Sequence, residues 1–185
     1  FTALDSAQIS GLADNKVAAM TTAQIRVLAT DELNAMSSIQ IASIETADLV
    51  ALSGTQITGL DTNFVQALTS DQVTALSISQ LKGLSADQLN ALDTADVAVM
   101  GTSQIQALTS NQVASLSTDR VTALTSAQIQ ALTSSQVAGL TTGQVASLTT
   151  SQVEALTTSQ IQALGSGQLA AMSSGQIAAI QTADL

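Results

Sequence analysis

Fourteen carboxylates and many Ser and Thr hydroxyls are the side chains of this 185-residue chain with the most chemistry to offer. A hydroxyl becomes a useful nucleophile only beside a base. The chain has no His and no Cys, which removes His-based triads, thiolate nucleophiles, disulfides and the usual zinc, haem and iron–sulfur ligands. A Ser–Lys pair would need Lys16 or Lys82, and both lie in ordinary stretches where a solvated surface place is expected. The acid pairs Asp31–Glu32, Glu45–Asp48 and Asp93–Asp96 carry the oxygen ligands that calcium takes. They lack the spacing of an EF-hand loop and of the Gly-rich nonapeptide calcium repeats. The sequence therefore predicts no enzyme, no catalytic residue, no metal site and no cofactor.

The charge balance narrows the partners. Lys16, Arg26, Lys82 and Arg120 face 14 acids, for a formal net charge of -10. That surplus opposes nucleic acid and anionic lipid surfaces. No run of 18 apolar residues is present, so no membrane span is expected. The first 100 residues hold 11 of the 14 acids, while residues 101–179 stay closer to one pattern.

These residues are placed by a repeat. From Leu4 to Ile180 every eighth residue is Leu, Met or Ile; this is position one. Position six, from Ile9 to Leu185, is always Ile, Val or Leu, and Phe1 holds the same phase. Position eight is Ala, Gly or Ser except at Val27 and Val99, and position five is Gln in 16 of 23 octads, so the consensus reads Leu-Thr-Thr-x-Gln-Val-x-Ala. No insertion or deletion breaks the count, so a recurring contact must require eight residues.

A continuous helix does not suit this period. Eight residues at about 100° each leave a residual of about 80°, and the Leu stripe would spiral around the axis. The period is neither the seven nor the eleven of coiled coils. A strand would put position one on one face and positions six and eight on the other, which requires both faces to be buried. One short helix per octad fits in more detail. Position two is Ser, Thr or Asp in 17 octads and is followed three residues later by Gln or Glu in 14 of them, which is the capping-box spacing. Position one then stands before the cap and position six at the fourth helical residue, the pair that forms a hydrophobic staple. In the octad 148–155, Leu148, Thr149, Gln152 and Val153 fill these four places.

The helix should run from position three to position eight, about 9 Å. A small residue at position eight would admit a neighbouring backbone, and Gly11, Gly59, Gly83 and Gly139 there are candidate C-terminal caps. Asp at position two reads as a cap, and Asp at position five as a first-turn anion favoured by the helix dipole. The Gln column reads first as the capping box. Its second reading is a ladder of amides on the surface, able to bind sugar or pair with another filament. One octad buries too little to offset its own ordering, so stability must come from stacked neighbours.

The expected fold is an all-α solenoid of short capped helices, one per octad, with a β-solenoid as the alternative because Thr and Val favour strands. Residues 1–185 form a single uninterrupted array. Phe1 and Leu185 both fall at position six with no polar capping repeat beside them, which suggests a segment of a longer chain or a filament protomer.

The octad LTTxQVxA resembles the repetitive regions of very large secreted or surface, adhesin-like bacterial proteins. That resemblance covers the whole chain and implies export and a structural or adhesive role. It transfers no catalytic residue. The segment LTSSQV at 132–137 is also similar to the opening of the DNA-binding repeat of TAL effectors, but the longer repeat and its base-reading loop are missing. The expected function is an extracellular or cell-surface structural protein: a filament, sheath, stalk or adhesin shaft built by stacking repeats. Its expected partners are copies of itself, end to end or side by side, and possible ligands are carbohydrate or a cell surface. The alternative function is a repeat scaffold that binds carbohydrate or a partner protein.

Overall fold

The computed structural model describes residues 4–180. Phe1 and Leu185 lie outside the described residues. Twenty-two short helices and no strand are present among those described, so the architecture is an all-α solenoid of short helices and the β-solenoid alternative is set aside.

Each octad forms its helix where the capping frame puts it. In the octad starting at Leu140, Thr141 is the N-cap in extended conformation (φ -70°, ψ 157°) and the helix is Thr142–Ser147. Thr141 accepts from the Gln144 backbone amide, and the Gln144 side chain accepts from the Thr141 amide, completing the box. The helix stops because the next position-one residue, Leu148, is extended (φ -57°, ψ 138°). Two extended residues thus link successive helices and swing the chain around.

Of the four expected glycine caps, Gly11 caps its helix and the other three are a correction. No residue among those described has positive φ, so no left-handed cap exists. Gly59, Gly83 and Gly139 are the last residues of their helices, and Gly11 is a right-handed cap. The small side chain at position eight serves close approach instead. A Cβ on Gly59 would stand 2.6 Å from Thr30 Cγ2, and one on Gly139 would stand 3.4 Å from Ser110 Cβ.

The chain divides into two compact units, residues 1–99 and 100–185. Both follow one packing rule. A helix packs on the one three octads later: Asp14–Ala18 on Ser38–Ser43 and Thr46–Val50 on Ser70–Ala75 in the first unit, Ser110–Ser115 on Ser134–Gly139 in the second. Positions one and six fill the interior between turns; Val137, Val145, Leu140 and Leu148 are all buried. Burial of such aliphatic side chains is worth about 1.5–3 kcal/mol each relative to exposure. Thr30–Asn34 also packs on Thr62–Gln66, four octads later, where the buried Phe64 replaces Gln at position five.

Candidate functional site

The feature that recurs through both units is a seam of buried glutamines. Helix ends carry carbonyls without intrahelical partners, and in an interior these need donors from elsewhere. The Gln amide supplies them. Gln144 Oε1 accepts from Thr141 N at 2.8 Å, and its Nε2 donates to the carbonyls of Val113 (2.9 Å), Ala114 (3.2 Å) and Leu116 (2.7 Å). One side chain therefore caps its own helix and clamps the end of a helix on the preceding turn.

The same offsets recur. Gln40 reaches Ile9 and Leu12, Gln72 reaches Ile41 and Ile44, and Gln88 reaches Ile57 and Leu60. In the second unit Gln152 reaches Val121 and Leu124, and Gln160 reaches Ile129 and Leu132. In each case the carbonyls lie 31 and 28 residues earlier. Together with helix packing at three octads, this places one turn between three and four octads. Among the described residues no buried side-chain polar atom lacks a hydrogen-bond partner.

This placement corrects the surface-ladder reading of the Gln column. Gln40, Gln72, Gln128, Gln136, Gln144 and Gln160 are each at most 2% exposed, so their amides are not available to a sugar or a second filament. The capping-box reading holds. What the octad pattern did not reveal is the other end of the amide. A signal was present, because a carboxylate serves the capping box as well as an amide does, yet Glu holds position five only at Glu32. A column that prefers amide to carboxylate is asking for a donor.

Acidic residues serve the same helix ends. Asp5 and Asp61 cap their helices, accepting from the amides of Gln8 and Phe64. Glu32 accepts from Ala29 N at 2.6 Å. Asp31 accepts from the Ser6 hydroxyl at 3.4 Å. Asp48 and Asp96, at position five, are buried and accept hydroxyl hydrogen bonds across the turn, from Thr22 (2.6 Å) and Ser70 (2.8 Å). Asp93 caps its helix by accepting from Asp96 N at 2.8 Å. Burial first, and then the neighbouring Asp93, raise the Asp96 pKa, and the Ser70 hydroxyl partly opposes them.

The structure does not gather the acid pairs into one site: among the described residues no group of three or more carboxylates is placed to hold a metal ion. Lys16 and Lys82 are exposed on separate helices, Asp14–Ala18 and Ile78–Gly83. Arg26 is exposed too, and Arg120, at position five, directs its guanidinium to Ser117 Oγ at 3.3 Å. No helix among the described residues is long and apolar enough to cross a membrane.

The model of the ALTTAQ repeat matches residues 41–78, 89–126, 121–150 and 150–182, which is most of the chain. No curated protein matches it.

Proposed function

Because the chain belongs to the ALTTAQ repeat family, we propose that it is a structural element, a shaft, stalk, sheath or filament that acts by stacking repeats and performs no catalysis. The observation that supports this reading is the constant offset of the glutamine seam. Where position five is Gln, a turn takes carbonyls from the turn before and offers its own to the turn after: Gln128 binds Met100, while its neighbours Ile129 and Leu132 receive Gln160. A rule with no built-in end lets turns be added without new design, which is the logic of a solenoid.

The setting we propose is outside the cell or on its surface, with copies of the same array as neighbours. The scarcity of Lys and Arg leaves few sites for trypsin-like proteases. The net negative charge would hold parallel shafts apart at low salt, and salt would relax that repulsion.

Small-angle scattering on one array and on two fused in phase tests the shaft. The expected result is an unchanged cross-section with a length that doubles. A cross-section that grows with chain length would overturn it. Antibody labelling of intact against lysed cells tests the setting, and labelling that needs lysis would refute a surface location.

A further inference from the structure

The glutamine seam joins octads by a rule that most of them share, so the rule alone does not say which octad stacks on which. With one octad looped out of a turn, the next glutamine would still meet a position-six and a position-one carbonyl. One pairing in the first unit is different. In the octad 60–67 position five is Phe64, which has no oxygen to accept from the amide of the cap residue Asp61. The preceding turn supplies that oxygen: Asn34 Oδ1 accepts from Asp61 N at 3.0 Å, and Asn34 Nδ2 donates to the Gly59 carbonyl at 3.0 Å. The seam leaves the Gly59 carbonyl over, because Gln88 takes those of Ile57 and Leu60 on either side of it. The helix Thr30–Asn34 meets the same segment twice more. Thr30 fills the space that a Cβ on Gly59 would need, and the helix packs on Thr62–Gln66, which carries the buried Phe64.

We infer that Asn34, Gly59, Asp61 and Phe64 form a register lock: Asn34 replaces the missing glutamine oxygen at Asp61 and so fixes which octad stacks on the helix Thr30–Asn34. This goes beyond a uniform shaft, since it gives one turn of an otherwise interchangeable array a unique place.

The neighbouring octads cannot make this pairing. One octad either way, the cap amides are those of Ser53 and Thr69, and each already donates to its own glutamine, Gln56 or Gln72. A slipped turn would therefore leave Asn34 without an amide to accept from and the Asp61 amide without its acceptor. A single polar side chain fixes register in the same way in coiled coils, where the wrong alignment leaves it unpaired. The sequence repeats the combination. Asn holds position seven only at Asn34 and Asn90, and position five thirty residues later is Phe64 in one case and Arg120 in the other. From Gln40 onward these are the only two position-five residues with no acceptor oxygen.

Denaturant melts compare Asn34→Ala in the parent and in Phe64→Gln. A glutamine at 64 can serve the Asp61 amide itself, so Asn34→Ala should lower the midpoint clearly in the parent and far less in Phe64→Gln. Equal shifts overturn the inference. Deleting the octad 44–51 tests register. The deletion keeps the eight-residue phase but sets Asn34 opposite Ala67 and Thr69, whose amide Gln72 already serves. It should cost the parent markedly more than the double variant Asn34→Ala, Phe64→Gln, which has no lock to lose. Equal losses overturn the lock. Should Phe64→Gln fold poorly, the deletion is compared between the parent and Asn34→Ala, with the same two outcomes. Amide exchange gives a readout at the bond itself. Asn34→Ala should speed exchange at the Asp61 amide and leave the Ser53 and Thr69 amides as they were. An Asp61 amide that stays as protected as in the parent overturns the inference as well.

Discussion

Gln144 Nε2 lies 2.7 Å from the carbonyl of Leu116, a residue 28 positions earlier, while Oε1 of the same amide lies 2.8 Å from the backbone nitrogen of Thr141. The two ends of one side chain thus join a local event, helix capping, to a distant one, turn stacking. Replacing Gln144 by Ala removes both and takes from the Leu116 carbonyl its amide donor. At about 1–3 kcal/mol for a buried polar group left unsatisfied, with the lost box added, the loss should be about 2–3 kcal/mol in a urea melt. Thr141→Ala removes the hydroxyl cap alone and should cost about 1 kcal/mol. Gln144→Glu keeps the acceptor and loses the donor, so it should resemble the Ala variant at neutral pH. Equal costs for Thr141→Ala and Gln144→Ala would show that the inter-turn half contributes nothing.

Two glycines should respond to the same substitution with opposite signs. Gly59→Ala would bring a Cβ to 2.6 Å from Thr30 Cγ2, so either Thr30 or the backbone must move. Gly143, inside the helix Thr142–Ser147, has only Thr141 Oγ1 nearby, at 3.9 Å. Gly143→Ala should stabilise by about 0.5–1 kcal/mol through helix propensity and a less flexible unfolded chain. Gly59→Ala should destabilise, and Thr30→Ala in the same chain should recover much of the loss. Failure of that rescue would place the strain elsewhere.

Most of the local structure was legible in the octad. Leu148, Thr149, Gln152 and Val153 announce staple, cap and box, and the helix Thr150–Glu154 begins where they place it. Legibility ended at the turn. Cap, box and staple are contacts within one octad, so they fix the helix and say nothing of how many octads complete a turn. That number comes from pairs such as Gln152 with Leu124, whose partner is one identical Leu among many. The glycines misled for a related reason. Gly139 sits where a left-handed cap would suit an isolated helix, but the extended Leu140 already ends it, and the small residue answers instead to Ser110 on another turn.

Phe64 marks where the seam is replaced by packing. It stands at position five, is 1% exposed, and leaves the capping of its helix to Asp61. Phe64→Ala should cost about 3–5 kcal/mol, as expected for emptying a buried aromatic site. Phe64→Gln should cost less than Phe64→Ala, because the array elsewhere accommodates Gln at this position and the residues 31 and 28 earlier, Leu33 and Met36, offer carbonyls of the same type. Thermal melts of the two variants make the comparison; a Gln variant as unstable as the Ala variant would mean that this turn has a geometry the seam cannot use.

Register provides the broadest test. Deleting Thr141 shortens every connection that spans it. Gln144, Gln152, Gln160 and Gln168 each bind carbonyls between residues 113 and 140, so all four would meet the wrong residues. Gln176 binds Val145 and Leu148, both beyond the deletion, and is spared. The damage should therefore extend over about one turn and then stop. Deleting the whole octad 140–147 is larger but keeps the phase: every later Gln again finds a position-six and a position-one carbonyl 31 and 28 residues earlier. The single deletion should lose far more stability than the octad deletion in a denaturant melt, although it removes one residue instead of eight. Amide exchange should show lost protection in residues 142–171, with the helix Ser174–Ala179 less affected. Equal losses for the two deletions would mean that the eight-residue period is not what holds the turns together.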